Sequence, residues 1–316
     1  MKSSHRNPAG RQRCGRQFCI FAQRARRLGI TLLCAALACA AAAQNSSGDV
    51  AALLQRMQAN QKANGKLEQQ YTSDELWHNV NFGKKGKQTL DTSAKYENVF
   101  VEGLPYRKKV EENGKPLTGE AAEAEEKRYE KAVEERRNMS LAQKRSFFHL
   151  GFHTSLPICC LATLFDNRIA GHQMIDGRDT IVLESTPKPD AMPANDEEKS
   201  SLNWKETTWI DAADAMPARI EVESLKDIGH FSRGMTNRLD FLRLAESPSP
   251  EGQPQPAVWL LKSVVSRFHF KLLWMGASGE TDQTWSGFKK FHVDMRLLDD
   301  SIQEIPQGSA PQSIRP

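Results

Sequence analysis

Few side chains in this sequence have the types and spacing that chemistry needs. His149 and His153 stand four apart in His-Leu-Gly-Phe-His, a spacing that puts two imidazoles on one helix face within reach of a metal. Gly151 weakens such a helix, no Glu follows His149 and no third ligand is evident, so structural histidines at a polar–apolar border account for them better. Cys159 and Cys160 are adjacent in an apolar setting and lack the Cys-x-x-Cys spacing of redox and metal sites. They read as two packed small residues; in an oxidising compartment the alternatives are a strained vicinal disulfide or a bridge to another chain. Asp211, Asp214, Asp227 and Asp240 could be imagined as an acid/base pair. Asp211 and Asp214, however, flank an Asp-Ala-Ala-Asp turn, where aspartate bonds to nearby backbone amides. No Gly-rich phosphate loop, Gly-x-Ser-x-Gly elbow or His-Glu-x-x-His helix occurs. The sequence thus nominates no catalytic residue, no metal site and no cofactor, and the expectation is a protein that is not an enzyme.

Aromatic and aliphatic side chains are the more suggestive class. Five segments, Trp204 to Ile210, Arg219 to Leu225, Met235 to Leu244, Val258 to Met275 and Thr281 to Leu298, read as β-strands separated by turns rich in Asp, Gly and Pro. Ile220 and Val222 alternate with Arg219, Glu221 and Glu223, and Leu239 and Phe241 with Arg238 and Asp240. Phe268, Phe270, Leu272 and Trp274 lie opposite Arg267, His269 and Lys271, and the fifth segment alternates likewise from Phe291 to Leu297. Successive side chains on a strand point to opposite faces, so each strand has one wet and one apolar side. A packed core explains most of these residues. A curved sheet too wide for its own side chains to fill would instead leave an apolar cavity. Its candidate lining is Ile220, Val222, Leu239, Phe241, Phe268, Phe270, Leu272 and Trp274.

Other elements must frame those strands. Val50, Leu53, Leu54 and Met57 recur at helical spacing from Asp49 to about Ala63. A long-armed hairpin follows over Leu67 to Phe82 and Thr89 to Val101, turning at Gly83-Lys84-Lys85-Gly86. Glu102-Gly103 and Asn113-Gly114 bracket a strand from Leu104 to Val110. Residues 119–140 form a charged helical insertion with almost no large apolar residue, expected to project into solvent or to cover an opening loosely. Phe147 to Phe165 reads as a helix or loop over the sheet edge. Strands then resume over His172 to Ile175 and Thr180 to Ser185, around an Asp176-Gly177 turn, and Pro187 to Ser201 is a polar excursion. The fold class is mainly β with α (α+β), one large curved antiparallel sheet forming an incomplete β-barrel covered by helices.

Charge and targeting complete the picture. Residues 1–43 hold eight Lys or Arg, no Asp or Glu, and an apolar run from Leu28 to Ala43, the pattern of a signal peptide cut after Ala43. A lipoprotein signal, with Cys39 acylated, is the competing expectation. The eight basic residues exceed the whole-chain charge of +4, leaving −4 on the remainder, so the basic balance is no sign of a nucleic-acid partner. Four of six cysteines fall in the same segment. The expected organisation is a single domain over 44–305, not membrane-spanning, and a disordered tail over 306–316.

The order of segments resembles the periplasmic proteins related to outer-membrane lipoprotein-sorting carriers, the LolA-like superfamily. The resemblance is carried by Val101-Glu102-Gly103-Leu104-Pro105-Tyr106-Arg107, Asn113-Gly114-Lys115-Pro116-Leu117, Gly177-Arg178-Asp179, Thr208-Trp209-Ile210-Asp211-Ala212, Pro217-Ala218-Arg219-Ile220-Glu221, Val258-Trp259-Leu260-Leu261 and Phe288-Lys289-Lys290-Phe291. It implies an open antiparallel barrel with helices as a lid over an apolar cavity. The implied function is a non-enzymatic periplasmic carrier or binder of lipid or lipoprotein acyl chains. The alternative is a cell-envelope interaction module with a protein partner and no ligand cavity.

Overall fold

The computed structural model describes residues 48–83, 86–140, 142–144, 161–245, 257–272 and 275–290, excepting the side chains of 271, 272, 275 and 276. Residues 1–43, the tail 306–316, His149, His153, Cys159, Cys160 and Trp274 lie outside them. The chain divides into two units, 1–51 and 52–316, and every strand belongs to the second.

Eleven strands form one antiparallel sheet: β1 (Tyr71–Phe82), β2 (Gln88–Val101), β3 (Leu104–Glu112), β4 (Lys115–Pro116), β5 (Phe165–Ile175), β6 (Arg178–Pro187), β7 (Trp204–Asp211), β8 (Pro217–Ser224), β9 (Thr236–Leu244), β10 (Val258–Leu272) and β11 (Met275–Lys290). Their order, β4-β3-β2-β1-β11-β10-β9-β8-β7-β6-β5, joins two meanders through the pairing of β1 with β11 and leaves the sheet unclosed, with β4 and β5 at its edges. This is the open, mainly β architecture the sequence implied. Three hairpins turn on Glu102-Gly103, Asn113-Gly114 and Asp176-Gly177. Both residues of each pair sit at positive φ, as two-residue hairpin turns require.

Three departures from the expected strands have physical causes. β5 begins at Phe165, well before His172; exposed side chains at 166, 168, 170 and 172 alternate with less exposed ones, but these include Asn167 and Gly171, so residue type does not show the alternation. In β1 Leu76 is 48% exposed, while Glu75 beside it is buried. The stretch Gly276 to Gly279, taken for a turn, belongs to β11. A Cβ at Gly279 would lie 2.3 Å from Phe268 Cε2 and 2.5 Å from Asn81 Oδ1, so that glycine marks a close approach between neighbouring strands.

Among the described residues α1 (48–68), α2 (Gly119–Arg137), α3 (Leu161–Leu164) and α4 (Asp196–Ser201) accompany the sheet, and 142–144 are also helical. The charged insertion is bound more firmly than its composition implied. Tyr106 donates to Glu125 at 3.0 Å, the Arg136 guanidinium donates to the Leu104 and Pro105 carbonyls, and Tyr106 stacks edge-on against Tyr129. α2 thus sits on β3 through polar contacts in place of an apolar stripe. Burial and the Glu125 bond push the Tyr106 phenol to about 12.

α1 runs past Ala63 and Gly65 because Asn64 is clipped to the sheet. β10 pairs with β11 only from Ser263 onward, so its first residues have β9 alone as a ladder partner. Asn64 fills the vacant side. Its amide donates to the Trp259 carbonyl at 2.7 Å and accepts from the Trp259 N–H at 2.8 Å, as a neighbouring strand would. Asn60 adds a bond to the Asp214 carbonyl. Asn64→Ala leaves a buried N–H and C=O without partners, so urea unfolding followed by circular dichroism should show a loss of about 3 kcal/mol. A loss below about 0.5 kcal/mol would mean that water replaces the clip.

Candidate ligand-binding face

Directly paired residues of antiparallel strands share a face, so the register assigns every side chain of the sheet to one side. On one face Ile220 stands opposite Thr208 and Leu239, and Leu239 opposite Val264. The same row passes through Leu183 on β6 and Gln283, Trp77 and Ala94 on β11, β1 and β2. The opposite face is wet and carries cross-strand ion pairs, among them Lys205–Glu223 at 2.8 Å, Arg219–Asp240 at 2.6 Å and Arg267–Glu280 at 2.5 Å.

Of the candidate lining residues, Ile220, Val222, Leu239, Phe241, Phe268 and Phe270 fall on the drier face, though in two different states. Ile220, Val222 and Leu239 are at most 5% exposed and pack against Trp204, Phe241, Leu261 and Val264, so their surroundings are filled by the protein itself. Phe241 also touches a second cluster of Ile175, Met216, Ala218 and Trp259. Phe268 and Phe270 are only half-buried. Phe231, from the β8–β9 connection, lies 5.7 and 5.0 Å from them between ring centroids, and its backbone bridges to Phe270. Leu272 pairs with Met275 at the hairpin end.

A polar row lies two residues along from the apolar one. Asn167, Ser185, Glu206, Val222, Asn237, Ser266, Thr281, Asn79 and Thr92 follow one another in register across β5 to β11, β1 and β2, with Val222 the sole apolar member. Its β6–β8 portion is dry, while from Asn237 to Thr92 it is half-buried. Ser185 donates to Asn167 Oδ1 at 2.7 Å, and Thr281 donates to Asn79 Oδ1 at 3.1 Å.

Glu206 is the titratable member of this row, and no motif marks it. It is 5% exposed, accepts from Thr208 Oγ1 at 2.6 Å, and has no basic partner among the described residues. Burial pushes its pKa up to about 7 against the pull of the Thr208 bond. Parity along β7 was the available signal: Trp204, Glu206, Thr208 and Ile210 must share a face. Burial also pushes Glu68, one turn beyond Asn64 on α1, up to about 7.

The turn carboxylates behave as structural anchors. Asp211, 1% exposed, accepts from the Ala213 and Asp214 amides and from Arg178 in a bidentate pair at 2.5 and 2.8 Å. Asp214 accepts from Arg243 at 2.6 Å and Trp259 Nε1 at 3.0 Å. Burial raises its pKa, but these bonds and the charges of Arg243 and Arg178 outweigh it and hold the group below its ordinary value. Among the described residues no group of three or more His, Cys, Asp or Glu could hold a metal, and no helix is long and apolar enough to cross a membrane. An open groove of about 340 Å3 between Glu112, Lys115, Leu117 and Ala121 borders the start of α2, away from the candidate face.

No family model matches the chain, and no curated protein does. Among solved structures it is similar to an outer-membrane lipoprotein-sorting protein domain from Vibrio parahaemolyticus, at 14% identity over 75% of this chain and 91% of that one, with a TM-score of 0.31. It is similar also to a DUF1329 family protein from Desulfovibrio piger, at 12% identity over 80% and 98% with a TM-score of 0.30. A LolA superfamily protein from Nitrosomonas europaea gives 10% identity over 77% and 97%, with a TM-score of 0.26.

The folded chain holds the Glu206 proton to about pH 7, whereas a glutamate in water loses it near pH 4.5. Between those values the folded state binds the extra proton, so stability falls as pH rises and levels off above 7. Glu206→Gln removes this part of the fall. Urea unfolding of both proteins should show the variant gaining on the wild type by roughly 3 kcal/mol between pH 4.5 and 7.5. A constant difference would mean that Glu206 is ionised throughout.

Proposed function

We propose that this chain is an exported, non-enzymatic carrier or binder of lipid-type ligands, taking acyl chains against the drier face of its open sheet in the periplasm. The observation that carries this reading is the half-buried aromatic group of Phe231, Phe268 and Phe270, beside a filled aliphatic core on the same face. Partly exposed aromatic rings grouped on one face are an apolar contact surface that the described residues leave partly open. The order of sequence segments and the basic, then apolar, first 43 residues support the same reading. Ile220, Val222 and Leu239 serve as the floor; Phe268 and Phe270, with Leu272 and Trp274 following them along the chain, are the contact residues. The alternative, an envelope interaction module, is favoured by α2, whose side away from β3 exposes Glu123, Lys127, Glu130 and Lys131.

Replacing both Phe268 and Phe270 by Ala should weaken binding of a fluorescent sixteen-carbon acyl probe about tenfold or more, roughly 1.4 kcal/mol or above. Met192→Ala, at a position 87% exposed between β6 and β7, should leave it unchanged. If the probe fails to bind the wild type while deletion of 119–140 abolishes capture of an envelope protein, the interaction module is the correct reading.

A further inference from the structure

The polar row poses a question that acyl binding alone does not answer, because a face for hydrocarbon has no use for a buried carboxyl. At Glu206 the local hydrogen bonds run in one direction. Thr208 spends its hydroxyl proton on Glu206 Oε1, and Ser185, opposite Glu206 in the ladder, spends its own on Asn167. Val222 occupies the other side. Once Glu206 ionises, what remains at this spot among the described residues is acceptor capacity: the second carboxylate oxygen and the lone pairs of two hydroxyls whose protons point elsewhere. All three residues are at most 5% exposed, and among the described residues no Lys, Arg or His makes an ion pair with Glu206. A buried carboxyl without a cation is costly when ionised and is repaid by a donor-rich positive group.

We propose that Glu206, with the hydroxyl oxygens of Ser185 and Thr208, is the head-group subsite for a primary amine, so that the preferred ligand is a single-chain amphiphile with a protonated amino head. An ammonium carries three N–H donors and no acceptor, the complement of three acceptors on neighbouring positions. The hydrocarbon chain of such a ligand runs along the same face towards Val264 and Phe268, where the row is half-buried. This deepens the acyl-binding reading and rests on it. The subsite is supported by the raised pKa of Glu206, which marks it as a carboxyl deprived of water, and no counter-charge stands beside it among the described residues.

The test compares dodecylamine with 1-dodecanol, equal in chain length and differing in the head, by isothermal titration of the full-length protein at pH 7.5. The wild type should prefer the amine by tenfold or more. Glu206→Gln should bring that ratio close to one, and Glu206→Asp, which keeps the charge, should retain a preference of severalfold. Far-ultraviolet circular dichroism on each variant confirms that it folds; should Glu206→Gln unfold, the Asp variant and the wild-type ratio still decide. Equal binding of both amphiphiles to the wild type overturns the subsite and leaves the acyl reading standing. Binding of neither overturns both, and a preference that survives Glu206→Gln places the amine elsewhere.

Discussion

A single-layer sheet can keep dry only the face that something else covers, and the rest of this structure answers that constraint. Eleven strands in one open layer give two faces and two edges. The wet face is settled by cross-strand ion pairs that lock the register without burying area, each contributing little alone. The dry face is buried over β6 to β8, where Ile220 and Val222 pack with Leu239 of β9, and left half-buried over β10, β11, β1 and β2. The difference between those two regions is where function can reside.

The two meanders of the sheet are joined along one long ladder, β1 against β11. β1 and β11 pair over most of their length, but β10 and β11 separate before Ser263, and the gap would expose backbone groups of an otherwise buried segment. Asn64 closes it by standing in for a strand residue. The β7–β8 turn reinforces the same end, since Asp211 and Asp214 gather Arg178, Arg243, Trp259 and Asn60 from β6, β9, β10 and α1. Carboxylates that might have suggested acid/base chemistry are therefore committed to holding the sheet's end in shape.

Much of the fold was legible because antiparallel strands with one wet side write their alternation openly. Ile220 against Arg219 and Leu239 against Arg238 gave both the strand and its inward face. The turns at Glu102-Gly103, Asn113-Gly114 and Asp176-Gly177 were equally plain, since few other pairs accept two positive φ values. Alternation fails where neither face is apolar, which hid β5, and where glycine serves close packing, which made Gly276 to Gly279 look like a turn. The candidate face was legible in part. Its residues share one side as parity required, yet parity could not tell the filled trio of Ile220, Val222 and Leu239 from the half-open Phe268 and Phe270. Phe231 comes from a loop, where no periodicity exists to read, and Glu206 was passed over because a charged residue in a strand is ordinarily taken for the wet side.

The central claim is that the half-open side of the dry face is occupied by hydrocarbon in the cell. Native mass spectrometry of protein purified without detergent from its own cells tests this most directly. The account predicts a population heavier than the polypeptide by the mass of one or more acyl-bearing molecules, removed by mild organic extraction. A single species at the polypeptide mass, in protein shown to be folded, would contradict it.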